Sequence, residues 1–184
     1  MSKNMLSQGE RDALLKQARE NVARAAGKTV QSVELPTVTA KAGAFVSLHR
    51  QGRLRGCIGS FDTSRPVCEV VGEMAVAASQ RDPRFNPVTV DELDDLDIEI
   101  SVLSPREPAG KIEEIEIGIH GLYITSGYRS GVLLPQVAVQ YGWNREEFLA
   151  NVCRKAGLDS DAWKDPGTRI EIFTAEVFGE GKEQ

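Results

Sequence analysis

Cys57 and Arg55 stand two residues apart in the run Leu54-Arg55-Gly56-Cys57-Ile58-Gly59, with glycines between and after them. A thiol becomes a nucleophile once a neighbouring cation favours its thiolate, and an arginine carries a rigid fork of donors for a carboxylate or phosphate. Gly56 and Gly59 let the backbone approach a ligand or another element closely. They do not form a phosphate loop, because the Gly-Lys-Ser/Thr ending is missing. Cys57 therefore has two readings. It is a nucleophile or acid/base group assisted by His49 or His120, or it is a small hydrophobe packed where glycines leave room.

Other residues join this set. Asp82 and Arg84 flank Pro83. Either Asp82 receives backbone hydrogen bonds while Arg84 pairs with a carboxylate, or Arg84 joins Arg55 as an anion clamp. Gln136, after Pro135, offers a donor and an acceptor at a helix start. His120, between Gly118-Ile119 and Gly121, is a base or an imidazole bonded within its own loop. The ligand-binding candidates are thus Arg55, Gly56, Gly59, Asp82, Arg84 and Gln136; the catalytic candidates are Cys57, His120 and His49. Cys68 and Cys153 lie in helical apolar stripes and read as core. Paired cysteines, close histidines and spaced carboxylates are absent, so no metal and no cofactor is expected.

The whole chain sets bounds on these readings. Its 184 residues suit one domain, placed at 5–180, and 41% hydrophobic with 27% charged residues is an ordinary globular balance. A net charge of −5 makes general nucleic-acid binding an unfavoured reading. Arg50, Arg53 and Arg55 concentrate positive charge between Lys41 and Arg65, and acids dominate from Asp91 to Glu116. The preferred explanation is a pair of solvated faces or an intramolecular match between them; the sharper one is a basic surface for an anion or nucleic acid. No segment reaches the roughly 20 apolar residues of a membrane span. The Met1-Ser2-Lys3-Asn4 opening is not that of a signal peptide, and three scattered cysteines indicate reduced thiols, so a cytoplasmic protein is expected.

Periodicity predicts the elements that must hold the candidates. Ser7 and Glu10 make a capping box ahead of Leu14, Ala18 and Val22, with Gly27 as the stop. Val30 to Pro36 reads as a linker with a short turn. Ala44–Arg50 and Arg53–Ser60 form a hairpin. A two-residue turn at Gln51-Gly52 would mix apolar and polar residues on one face. A three-residue loop with Gly52 left-handed instead unites Val46 and Leu48 with Leu54, Gly56 and Ile58. The second register is preferred, and it places Ser47, His49, Arg55 and Cys57 together on the other face.

Pro66 opens a helix over Val67–Gln80, stopped at Asp82-Pro83. Thr89 to Leu93 reads as a helical turn, and Asp97 to Leu103 alternates as a half-buried strand. Pro105–Pro108 reads as loop. Leu122–Ser126 and Gly131–Leu134 pair around Gly127-Tyr128-Arg129-Ser130. Gln136–Tyr141 is a short helix, Asn144 and Glu147 cap another ending at Gly157, and Arg169–Phe178 is a last strand. Hairpins without regular strand–helix crossovers favour an α+β fold.

These segments together resemble a known family. Gly52-Arg53-Leu54-Arg55-Gly56-Cys57-Ile58-Gly59, Asp82-Pro83-Arg84-Phe85 and Ile98-Glu99-Ile100-Ser101-Val102-Leu103-Ser104 come first. His120-Gly121-Leu122, Gly131-Val132-Leu133-Leu134-Pro135-Gln136-Val137-Ala138, Trp143, Lys155-Ala156-Gly157-Leu158 and Trp163 follow in order. The chain resembles the AMMECR domain family, named after the Alport, midface-hypoplasia and elliptocytosis chromosomal region. The resemblance implies an α+β domain with a larger and a smaller lobe, a mixed or antiparallel sheet, flanking helices and a cleft between the lobes. It implies no reaction. The AmmeMemoRadiSam system of the family's bacterial and archaeal members implies a Memo-like protein and a radical S-adenosylmethionine protein as partners. The expected function is a ligand- or partner-binding cleft around Leu54–Gly59, its ligand a small anion or a partner segment. An enzyme using Cys57 is the alternative, and nucleic-acid binding through Lys41–Arg65 a second one.

Overall fold

The computed structural model describes residues 6–31 and 37–180. The N-terminal tetrapeptide and all but the first two residues of the Val30–Pro36 linker lie outside the described residues. The chain is α+β and divides into two compact units, one reaching Leu103 and resuming at Glu176, the other Ser104–Ala175.

In the first unit, helix α1 (Gln8–Ala25) begins with the expected capping box, in which Ser7 accepts from the Glu10 N–H and the Glu10 carboxylate accepts from the Ser7 N–H. Strands β1 (Gly43–Arg50), β2 (Arg53–Ser60) and β3 (Leu96–Leu103) are antiparallel neighbours in the order β2-β1-β3. Helix α2 (Val67–Gln80) has Pro66 as its N-cap, not as the first helical residue that was expected. Val46, Leu48, Ile98 and Ile100 are buried on one sheet face and share a core with Leu14, Ala18 and Val22 of α1 and Val67, Val70 and Val71 of α2. Each such side chain contributes roughly 1.5–3 kcal/mol through its removal from water.

The hairpin corrects one expectation. Its turn is the two-residue Gln51-Gly52 pair, both at positive φ (52° and 72°), not a three-residue loop. This is the turn whose twist matches paired strands, and glycine or a tolerant residue must fill it. A register shift between Leu48 and His49 then restores the apolar face: Arg50 meets Arg53, His49 meets Leu54, but Leu48 meets Gly56 and Val46 meets Ile58. Arg55 is the extra residue of this bulge. Leu54 consequently leaves the apolar face, stands opposite His49 and is 41% exposed.

In the second unit, β5 (His120–Ser126) and β6 (Arg129–Leu133) pair through the two residues Gly127-Tyr128, a shorter connection than expected. Strand β7 (Thr168–Gly179) pairs antiparallel with β5, and its residues from Glu176 belong to the first unit. The stretch read as loop at Pro105–Pro108 supplies a short strand, β4 (Glu107–Pro108), against Glu171 and Ile172 of β7. Backbone pairing with a neighbouring strand overrides the local preference that two flanking prolines express. Helices α3 (Pro135–Tyr141) and α4 (Arg145–Lys155) cover a core of Ile115, Leu122, Ile124, Phe148, Leu149 and Val152. Asn144 and Glu147 form the predicted capping box of α4.

Candidate functional site

Gly56 and Gly59 owe their identity to packing. A Cβ at Gly56 would be driven into the Ala78 carbonyl of α2, and one at Gly59 into the Phe45 ring. The run Leu54–Gly59 is therefore seated against α2 on one side and against β1 on the other. Only a residue without a side chain meets either demand.

Cys57 is clamped through its own peptide groups. Its N–H donates to Asp82 Oδ2 at 2.9 Å, and its carbonyl accepts from Arg84 Nη2 at 3.1 Å. The clamp is closed by Arg84 itself, whose Nε and Nη2 donate to Asp82 Oδ1 and Oδ2 at 3.0 and 2.7 Å. The Arg84 N–H adds a third bond to Oδ1 at 3.1 Å. Among the described residues β2 pairs with β1 alone, so the ion pair occupies outward backbone groups that a further strand would otherwise take. Asp82 is only 4% exposed, and the Arg84 hydrogen bonds, opposed by burial, hold its carboxyl down at about 2. The same bonds raise the Arg84 pKa.

The thiol itself is half-buried, with the Ser47 hydroxyl 3.1 Å away. Ser47 lies opposite Cys57 on β2 and opposite Glu99 on β3, so the three form a row across the sheet. His49 stands two pairs further along, opposite Leu54 and Asp97 rather than Cys57. β1 alternation still puts His49 on the Ser47 face, as expected.

Arg55 turns away from the thiol. Its Nε and Nη2 both donate to the Glu92 carboxylate at 2.9 Å, a bidentate pair. Nη1 donates to the Asn86 carbonyl at 2.9 Å, and Nη2 also reaches the Pro87 carbonyl at 3.4 Å. Glu92 additionally pairs with Arg50 at 3.2 Å and accepts from the Thr89 N–H at 3.0 Å. Arg55 foremost, against the opposing effect of burial, lowers the Glu92 carboxyl to about 2. Arg50 also pairs with Asp95, and Arg65 with Asp62 and Glu73. The basic segment and the acidic segment thus meet through Arg50, Arg55, Glu92 and Asp95, the intramolecular match preferred above.

The structure brings Cys57, Gly56, Asp82 and Arg84 together, with Arg55 on the adjoining Glu92 network. His120 and Gln136 belong to the second unit. There the His120 Nδ1 accepts from the Glu116 N–H at 3.1 Å, and Gln136 is the second residue of α3. Cys153 is fully buried, and burial pushes its thiol up. Cys68 is half-buried rather than wholly in the core. No group of three potential metal ligands occurs among the described residues. Sequence reasoning missed Glu92 and Glu99. Thr89-x-x-Glu92 is a capping-box signature that could have fixed Glu92 beside the loop. Alternation assigned Glu99 to a polar face, but its register opposite Ser47 had no local signal.

Comparison with known proteins adds the lineage of this arrangement. The AMMECR1 family model matches residues 15–178. A protein of Methanothermobacter thermautotrophicus is 45% identical over 155 residues, covering 80% of this chain and 80% of its own length. One from Thermococcus gammatolerans is 48% identical over 155 residues, covering 79% and 76%. The crystal structure titled uncharacterized protein PH0010 from Pyrococcus horikoshii superposes with a TM-score of 0.83 at 40% identity, covering 91% of this chain and 89% of that one. Match length, identity and fold agree: the chain belongs to the AMMECR1 family.

Proposed function

We propose that this chain is a binding module whose recognition face is the Ser47–Cys57 side of the β1–β2 hairpin, around Leu54–Gly59. The observation that carries the reading is the clamp. A buried carboxylate and a guanidinium take both peptide groups of Cys57, which fixes the thiol half-buried beside Ser47. A side chain held this firmly from behind is preorganised for contact. The neighbours favour binding over turnover. The group facing the thiol is a hydroxyl, a poor base at neutral pH, and His49 faces Leu54 instead. The Arg84 side chain is 51% exposed and spends its Nε and Nη2 on the clamp, which leaves Nη1 as a donor for a small anion or the carboxyl group of a partner segment. The Memo-like protein and the radical S-adenosylmethionine protein implied by the resemblance are the first macromolecular partners to assay.

A second reading has its own support: the Arg84 guanidinium lies against the Cys57 backbone, donating to its carbonyl at 3.1 Å, and a neighbouring cation is what favours a thiolate. One experiment separates the two. Alkylation of Cys57 by iodoacetamide at neutral pH, followed by mass spectrometry, should proceed no faster than that of free cysteine in a binding module. A rate about tenfold faster or more would establish the activated thiol. Titration with inorganic phosphate, followed through the amide NMR signals of Ser47, Cys57 and Arg84, should shift those signals in the native chain and not in Arg84→Gln. Equal shifts in both chains would remove the anion from the proposal.

A further inference from the structure

The second unit carries a surface that the hairpin site does not use. From Leu133 to Asn144 the chain has no charged residue, although α3 lies at the surface. Of α3, only Pro135 and Ala138 are buried; Val139 is 61% and Tyr141 67% exposed. Surface helices of soluble proteins ordinarily carry charge on such positions. On one flank Val139 rests on Gly118, beside exposed Ile119. At its C-terminal end Gly142 turns the chain left-handed (φ 65°), and Tyr141 stacks on Trp143 with ring centroids 4.8 Å apart. Large apolar groups gathered about one short helix mark an interaction surface.

Exposed carboxylates outnumber cations in the segments beside this surface. Glu113, Glu114 and Glu116 are exposed in the segment leading to Ile119, and Glu146 is exposed just beyond Trp143. Arg145, the nearest cation in sequence, points inward and donates to the Ile115 carbonyl at 2.9 Å, tying the two acidic segments to one side of the unit. None of Glu113, Glu116 and Glu146 forms an ion pair among the described residues.

We propose that the α3 surface, through Ile119, Val139, Tyr141 and Trp143, binds a partner segment that presents aliphatic side chains flanked by lysine or arginine. The aliphatic groups cover Val139 and Ile119. The cations meet the surrounding carboxylates and the exposed Tyr141 ring, stacked on the half-buried Trp143, where a cation is attracted to the ring quadrupole. This surface belongs to the second unit and does not rest on the hairpin reading.

The test uses the full chain and a synthetic amphipathic peptide of leucine and lysine, about four helical turns long, with a leucine–glutamate peptide of the same pattern as control. Isothermal titration should show the leucine–lysine peptide binding, and the glutamate peptide failing to bind. The double variant Val139→Ser, Tyr141→Ser should weaken binding by about tenfold or more, because exposed aromatic anchors dominate such contacts. Glu116→Gln with Glu146→Gln should weaken it less and flatten its salt dependence. These side chains are exposed, and unchanged circular dichroism would verify that the variants fold. Undiminished binding by the serine double variant, equal binding of both peptides, or no binding of the lysine peptide would overturn the proposal. Concentration-dependent dimerisation abolished by the serine variant would overturn it in favour of a second copy of this chain.

Discussion

The guanidinium of Arg55 and that of Arg84 do different work for the same strand. Arg55 sits in a bulge, and a bulge re-aims a side chain; here it is aimed at Glu92 and two loop carbonyls. Arg84 reaches back over Asp82 to the carbonyl of Cys57. Removing the charge of Asp82 would leave the Cys57 N–H and Arg84 with a weaker partner. Asp82→Asn should therefore lower stability by about 2 kcal/mol, less than a fully buried pair would lose because Arg84 is half exposed. Urea unfolding measures it. A change below about 0.5 kcal/mol, the scale of ordinary surface substitutions, would show that the clamp is not a structural investment.

At the scale of elements, the β1–β2 hairpin is positioned by the missing side chains of its glycines as much as by the side chains it has. Gly56→Ala drives a methyl group into backbone of α2, which cannot move as a side chain can. The expected cost is about 1–3 kcal/mol, with a loss of melting temperature. Gly9→Ala in α1 is the contrasting case, since nothing lies within reach of its Cβ. That change should stabilise by about 0.5–1 kcal/mol through helix propensity. Equal effects of the two substitutions would contradict the packing explanation. Element by element, the helices were the most legible. Ser7 with Glu10, and Asn144 with Glu147, announce their starts because a cap is a local contact of three residues. The hairpin was legible in its outcome and not in its path. The need to bury Val46, Leu48 and Ile58 on one face is visible in alternation, but whether a loop or a bulge satisfies it depends on what Arg55 and Gly56 meet in α2 and the loop before β3. Strand β4 left no signal, because its two residues are a strand only through their partners on β7.

At the scale of the whole molecule, the two carboxyl groups that arginines hold beside the β1–β2 hairpin couple stability to pH. Asp82 and Glu92 are both lowered to about 2 in the fold, from ordinary values of 3.8 and 4.5. A depressed carboxyl contributes stability that is fully present above its unfolded value and is lost as pH falls through its folded value. Stability should thus be level above about pH 5 and decline between about 4.5 and 2, by roughly 2.5 kcal/mol for Asp82 and roughly 3.5 kcal/mol for Glu92 at about 1.4 kcal/mol for each pH unit of displacement. Melting temperatures measured from pH 6 to 2.5 check the slope. Glu92→Gln should flatten it, and a slope identical to that of the native chain would exclude Glu92 as a contributor. The helix starts, the α+β class, the family motifs and a polar face holding Ser47, His49 and Cys57 were all legible in the chain, because caps and two-residue alternation are local properties. It took the folded chain to pair Arg55 with Glu92, to set Asp82 and Arg84 on the Cys57 backbone and to bring Ser47, not histidine, opposite the thiol. Those outcomes are set by long-range register and by polar groups meeting across 25 to 37 positions of chain, and no local pattern encodes which partner a side chain will find when the strands close.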